Sequence, residues 1–347
     1  MEKFSQWRDK STGLAPFVPA LPPTVEALPP TLHYALLPFA AVWGGARVLL
    51  VALLLCVQFV LVEGILRVFA VVPPVHAVLT RATNLSTTRF ALILLGLLWI
   101  KVETVQLRKT GRSPPQIAFD PKKGDLIVAN SSSYIDLLYL AFRYNPTFLL
   151  PIPSASAPGK VSGFRRVSLL TAILACGQLP QQRSNGGQSL DQVLREADGP
   201  VVLFPEATTS NNRALLKFAE LTPSLAGSAA TGQPVSARVF VLTFRYPAPT
   251  RFARTLTYPI PTPSPVVGLL IHLYSLTSLL SLNTFTVRRL HASESPRLTL
   301  SAGGMPRKED WDVLSDTLAG TARLKRVGGL GWVEKRAFLE FRRLKGR

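Results

Sequence analysis

Cysteine is nearly absent. Two residues, Cys56 and Cys176, in a chain of 347 exclude a disulfide framework, and neither lies in a CxxC spacing that would hold zinc. Cys56 sits inside an apolar run, so pairing with Cys176 is not expected, and the chain suits a reducing, cytosol-facing environment. Acid is scarce as well. Twenty Asp and Glu stand against 39 Lys and Arg, for a formal net charge of +19. That imbalance points to an anionic partner. No basic strand interleaved with aromatics accompanies it, which argues against nucleic acid and for a lipid surface or a phosphate-bearing ligand. Histidine is limited to His33, His76, His272 and His291, with no metal-ligating spacing. No early apolar core runs into a small-residue cleavage site, so a secretory leader is not expected. No internal repeat is visible.

What the sequence has in excess is apolar residues: 47% of the chain, concentrated near the N-terminus. Residues 1–32 are proline-rich and read as a flexible or polyproline-like leader. The run Val48–Val62 follows, with Arg47 before it and Glu63 after it. It is shorter than the roughly 20 residues a simple span needs. Upstream extension takes in Pro38, Gly44 and Gly45, which leaves one tilted span or a helix–break–helix hairpin in one leaflet. Phe90–Ile100 reads as a buried helix docking onto a globular domain. Val266–Leu282 reads as an amphipathic or interfacial helix.

Between these runs, short apolar strands alternate with helices. Strands are expected at 125–130, 146–153, 200–204, 237–247 and 283–290, and helices at 167–177 and 189–199. The pattern predicts an α/β fold, a twisted mixed sheet flanked by helices. The expected organisation is a leader at 1–32, a membrane-anchoring helical segment at 33–105, an α/β domain at 115–295 and a basic helical tail at 300–347. The tail reads as a solvated helical pair, with binding of anionic headgroups left open.

Three blocks carry the candidate chemistry: "NSSSYID" at Asn130–Asp136, "GQLPQQR" at Gly177–Arg183 and "LFPEATTSNNRALLKF" at Leu203–Phe218. Ser133 and Asp136 have the Ser-x-x-acid spacing of a capping box, so Asp136 could do no more than close a helix N-terminus. Arg183, Arg213 and Lys217 supply cations suited to phosphate, and Lys160, Arg165 and Arg166 lie just upstream. Cys176 reads as a core residue.

In order and spacing these blocks resemble the glycerolipid acyltransferases of the PlsC type, the lysophosphatidate acyltransferases. Phe204, Pro205, Glu206, Thr208 and Ser210 match the family's third block, with Ala207 at its glycine and Thr209 at its arginine. Arg183 matches the end of the second block. Asp136 matches the aspartate of the first block, and Ser131 stands where that block carries histidine. The apolar N-terminus, the missing histidine and the basic tail are similar to the fungal lysophosphatidate:oleoyl-CoA branch.

The resemblance implies transfer of an acyl group from acyl-CoA, a cosubstrate, to lysophosphatidate, with no metal or resident cofactor. It implies catalytic roles for Asp136, Ser131 and Ser133. Substrate contacts fall to Arg183, Glu206, Thr208, Ser210, Arg213 and Lys217. It implies a membrane-lipid partner and placement at the endoplasmic reticulum or lipid droplet, with the catalytic domain facing the cytosol. Serine is no base at neutral pH, so the proton would have to go to Asp136 directly or through water, to a relay by Ser133, or to the substrate phosphate. A lipid-binding protein without turnover and a membrane scaffold are the competing expectations. Ala207 implies either that its loop needs no left-handed backbone or that the loop is altered.

Overall fold

The strand "DLIVAN" becomes β2 (Leu126–Ala129), and every one of its residues is buried. In a computed structural model of the protein, which describes residues 4–21, 30–108, 117–182, 187–222, 235–250, 253–278, 282–301 and 304–345, this strand lies at the centre of a mixed sheet. Its alternation divides two cores. Ile127 and Ala129 pack into one apolar cluster, and Leu126 and Val128 into the other, as a strand covered on both faces requires.

Around β2 the sheet is built from β1 (Lys101–Val105), β3 (Thr147–Pro153), β4 (Lys160–Val167), β5 (Val201–Leu203), β7 (Glu220–Leu221), β8 (Val235–Arg245) and β9 (Thr286–Leu290), while β6 (Ala214–Leu215) belongs to a separate small sheet. Their order is β1-β9-β8-β2-β5-β3-β4-β7, with β10 (Arg297–Leu300) paired to β8. The pairs β8–β2, β2–β5 and β5–β3 are parallel. Strand β9 runs antiparallel to β8, and β4 runs antiparallel to β3. The protein is therefore α/β with a mixed multi-stranded sheet flanked by helices. In parallel segments of this kind ligands collect beyond the carboxyl ends of the strands. The carboxyl ends of β8, β2 and β5 lie side by side, and the first and third sequence blocks follow two of them.

Helices α3 (Tyr134–Tyr144), α4 (Leu169–Ala175) and α5 (Leu190–Glu196) follow the expected pattern. Gly177, at φ +78°, stops the chain just past α4 in the left-handed conformation that glycine adopts without strain. Several expectations need correction. The run Phe90–Ile100 is not one helix. α2 (Pro73–Leu94) ends within it, Gly96 takes φ +83°, and residues 97–100 have no regular secondary structure. The tail is not a solvated pair. α7 (Lys308–Ala322) buries Leu314 and Leu318, and α8 (Trp332–Lys345) buries Trp332, Lys335 and Phe338. Nor is the first part of the leader loose. Phe4, Trp7 and Phe17 pack against Phe338 at centroid distances of 5.7, 5.7 and 5.6 Å, Trp7 edge-on, because apolar rings gain more from burial than from water.

α1 (Pro30–Phe59) passes through Pro38 and both glycines without interruption. Among the described residues Leu37–Val62 is the one helical segment long and apolar enough to cross a membrane, at 26 residues, or about 39 Å of helix. Its outer side chains, including Leu49, Leu50 and Leu53, are exposed, as are Val266, Val267 and Ile271 on α6 (Pro265–Thr277). The two helices meet at Gly44, where an added Cβ would stand 2.9 Å from the Cα of Ser278. At the far end of α1, Gln58 bonds Asn84 of α2 at 2.9 Å, and Asn84 bonds Asn145, which caps α3, at 2.6 Å. Polar links therefore tie the apolar segment to the domain. Gly44→Leu should lower Tm in detergent by about 2–10 °C by overpacking this crossing. Gly45→Leu, where nothing lies within 4 Å of an added Cβ, should leave it unchanged. Equal effects at the two positions would remove the close crossing as the cause.

Candidate active site

Ser131 and Ser132 follow β2 and are clamped on both sides. The Ser131 amide donates to Oε2 of Glu206 at 3.0 Å, and its carbonyl accepts from the Ser210 amide at 3.0 Å. The Ser132 carbonyl accepts from the Tyr258 amide at 2.7 Å. Asn130 continues the ladder onto β8 with its side chain, donating to the Phe244 carbonyl at 3.1 Å and accepting from the Phe244 amide at 2.8 Å. Asn212 adds bonds to the Ser132 hydroxyl and the Phe244 carbonyl, each 2.8 Å.

Asp136 is fully buried. Its Oδ2 accepts from the Ser132 and Ser133 amides at 2.8 and 2.9 Å, and Oδ1 accepts from the Tyr246 hydroxyl. Ser133 is the N-cap of α3, so the capping box is present and satisfies orphan amides of the first turn. Glu206 is equally buried. Beyond Ser131 it accepts from the Leu216 amide at 2.8 Å through Oε1. Burial is the main influence on both acids. It pushes Asp136 up to about 7 against the Tyr246 hydroxyl and the two amides. It pushes Glu206 up to about 8 against its two amides and the charge of Lys335.

In front of these acids lies a cavity of about 770 Å³, within the size range of small-ligand sites. Leu137, Phe148, Leu150, Ile152, Leu174 and Phe204 make its apolar wall. Ser131, Thr208, Thr209, Gln178 and Arg165 bring polarity to it, and Pro265 at the start of α6 lines it as well. The cavity thus touches a helix whose outer face is exposed and apolar.

The structure brings together some of the candidates named from sequence and separates others. Ser131 and Thr208 reach the cavity. Asp136, Glu206, Ser133 and Ser210 are buried and lie outside its lining, as supports for the turn that presents Ser131. Arg213 and Lys217 are exposed on the surface, and Lys217 pairs with Glu220 at 2.8 Å. Arg183 lies outside the described residues. Of the upstream cations Arg165 lines the cavity, whereas Arg166 pairs with Glu196 and Lys160 with Glu220. His272 is a packed residue between the Tyr134 hydroxyl and the Thr255 carbonyl, each at 3.2 Å, and burial lowers it to about 4. Cys176 is buried, which pushes its thiol up and away from nucleophilic character.

Sequence reasoning missed Tyr246, Asn212, Tyr258 and Lys335. One signal was present: Lys335 falls on the apolar stripe of α8, three residues after Trp332 and three before Phe338. A lysine in a buried stripe position has no solvation to live on and needs dedicated partners.

Ala207 has φ +54°, so the loop does need a left-handed residue there. Left-handed backbone costs an L-residue roughly 1–2 kcal/mol, partly offset by the greater freedom of glycine in the unfolded chain. Ala207→Gly should therefore stabilise the protein by about 0.5–1 kcal/mol in a denaturant titration; destabilisation would mean that the alanine methyl contributes packing that outweighs the strain.

An α/β fold carrying a polar-rimmed apolar cavity beyond its parallel strand ends, next to an exposed apolar helical face, is what a protein acting on lipids needs. A curated protein of Schizosaccharomyces pombe, named "Putative lysophosphatidic acid:oleoyl-CoA acyltransferase", is 26% identical over 269 residues, which is 76% of this chain and 77% of that protein. This similarity supports an acyltransferase role in lipid metabolism. No protein-family model matches the chain, and no solved structure matches it.

Proposed function

We propose that this protein is an acyl-CoA-dependent acyltransferase of PlsC-like architecture that makes phosphatidate from lysophosphatidate at a membrane surface. The observation that carries the reading is the apolar cavity that ends on Ser131, with Asp136 and Glu206 buried directly behind its turn. The similarity to the fission-yeast protein and the order of the three sequence blocks support it.

In this reading the acyl chain lies along Phe148, Leu150, Ile152 and Leu174, entering beside α6 from the lipid. The free hydroxyl of lysophosphatidate sits at Ser131, and its oxygen bonds to the thioester carbon as the C–S bond breaks. The hydroxyl proton leaves to the base and ends on the CoA sulfur, giving phosphatidate and free CoA. Ser131 occupies the family's histidine position. We assign the base to Asp136, acting through water held at Ser131; an acid raised to about 7 exchanges a proton readily near neutrality. Tyr246 and the amides of Ser132 and Ser133 fix its carboxylate in place. No metal or resident cofactor is part of this scheme; acyl-CoA is consumed as a cosubstrate. The apolar faces of α1 and α6 would hold the domain on the membrane of the endoplasmic reticulum or lipid droplet, with the cavity on the cytosolic side. A second reading, lipid binding without turnover, draws on one observation: the oxygens of Asp136 are already committed to Tyr246 and the α3 capping box.

The test is acyl transfer in nanodiscs with lysophosphatidate and oleoyl-CoA, read as phosphatidate by mass spectrometry. Asp136→Asn should lower kcat by about 10²–10⁴-fold, and Ser131→His should raise it. In the parent, kcat should climb through an apparent pKa near 7 as the base loses its proton. Binding of lysophosphatidate with no phosphatidate formed at any pH would establish the second reading instead.

A further inference from the structure

Lys335 is a cation enclosed by protein. It has no exposed surface, and among the described residues no carboxylate forms an ion pair with it. Its Nζ donates to Thr208 Oγ1 at 2.8 Å, to the Thr209 carbonyl at 2.8 Å and to Thr209 Oγ1 at 3.2 Å. These three acceptors use all three protons of an ammonium. A hydroxyl that accepts from an ammonium keeps its own proton to donate. Thr209 gives that proton to the Tyr258 carbonyl at 2.8 Å. The Thr208 proton has no acceptor among the described residues, and Thr208 lines the cavity.

A buried ammonium with no carboxylate in ion-pair contact is costly, and burial lowers Lys335 to about 7 although the nearby charge of Glu206 acts in the opposite direction. The position is nevertheless held firmly. Phe338, one turn further along α8, is locked by Phe17 of the N-terminal segment. That segment is tied to the site loop through Asn211, which bonds the Ala15, Pro16 and Val18 carbonyls at 2.8, 2.9 and 2.7 Å. Both chain ends thus fasten a charge behind one hydroxyl. An anion arriving on the cavity side would accept the proton that Thr208 has left to donate.

We infer that Thr208 and Lys335 form an anion-binding relay, in which the Thr208 hydroxyl donates to an anionic oxygen of the substrate and Lys335 polarises that hydroxyl from behind. Lys335 is a positioning residue; Thr208 makes the contact. The nature of the anion rests on the acyl-transfer reading above. It is either the phosphate monoester of the acceptor or the oxyanion that forms on the thioester carbonyl. Both present the same chemistry to Thr208. The relay places a cation behind Thr209, the position at which the resembling family carries arginine.

The test uses the full chain in nanodiscs and measures lysophosphatidate binding, monoacylglycerol binding and steady-state acyl transfer. Lys335→Met and Thr208→Val should each cause a loss of about tenfold to a hundredfold, the range of a charge-assisted hydrogen bond. The loss falls on lysophosphatidate affinity if the anion is the phosphate, and on kcat at unchanged affinity if it is the oxyanion. Monoacylglycerol affinity should not move. The double variant should be no worse than the poorer single, because the two act as a unit, and Lys335→Arg and Thr208→Ser should keep most of the function. Unchanged affinity and kcat in both single variants, or losses that multiply in the double, would overturn the relay. If Lys335→Met does not fold, Thr208→Val decides alone by the same readouts. A parent that binds lysophosphatidate without turning it over removes the acyl-transfer reading, and the relay is then judged on affinity. A parent that turns over while both variants behave like it removes the relay and leaves the reading standing.

Discussion

Glu206 accepts from the amides of Ser131 and Leu216, and the geometry of the cavity floor depends on that pair of bonds. They join the loop after β2 to the loop after β5 at the point where two parallel strands end. Asp136 does the same on the other side, joining the start of α3 to Tyr246 beyond β8. Two buried acids therefore tie together the ends of three adjacent strands. A carboxyl group suits this task because its two oxygens accept from several separate donors, and amides at strand ends would otherwise be buried without partners. The cost is desolvation, visible as the upward displacement of both acids. The same displacement makes them candidates for proton exchange near neutral pH.

The apolar side of the molecule follows from a different constraint. α1 and α6 present Leu, Val and Ile outward over a face far larger than single scattered apolar residues would make. Their close crossing at Gly44 and Ser278 and the Gln58–Asn84–Asn145 links hold that face in register with the sheet. Because Pro265 at the start of α6 also lines the cavity, the apolar exterior and the apolar interior are contiguous.

Much of this was legible in the sequence, for identifiable reasons. The central strands are short apolar runs bounded by turn residues, and burial on both faces leaves such runs little other choice. The Ser133–Asp136 spacing announced its capping box. The third block suggested Glu206 as a substrate contact, whereas the structure has it buried outside the cavity lining, holding the Ser131 and Leu216 amides. What remained hidden depends on tertiary approach. Nothing local says that Tyr246 meets Asp136, 110 residues earlier in sequence, or that a proline-rich leader will pack Phe17 against α8. Lys335 carried a weak local sign, a lysine on an apolar stripe, which a reading by net charge folded into a basic tail. The run at Phe90–Ile100 misled because hydrophobicity alone cannot place a helix end; the left-handed turn at Gly96 does.

In the proposed reaction the cavity between β3, α4 and the site loops receives a fatty acyl chain. The most direct measurement is photo-crosslinking with oleoyl-CoA carrying a diazirine in the acyl chain, followed by peptide mass spectrometry. An acyl chain in the cavity should label residues 148–152 and 171–179, and excess unlabelled oleoyl-CoA should suppress those labels. Labels confined to the exposed faces of α1 and α6, unaffected by competitor, would contradict it.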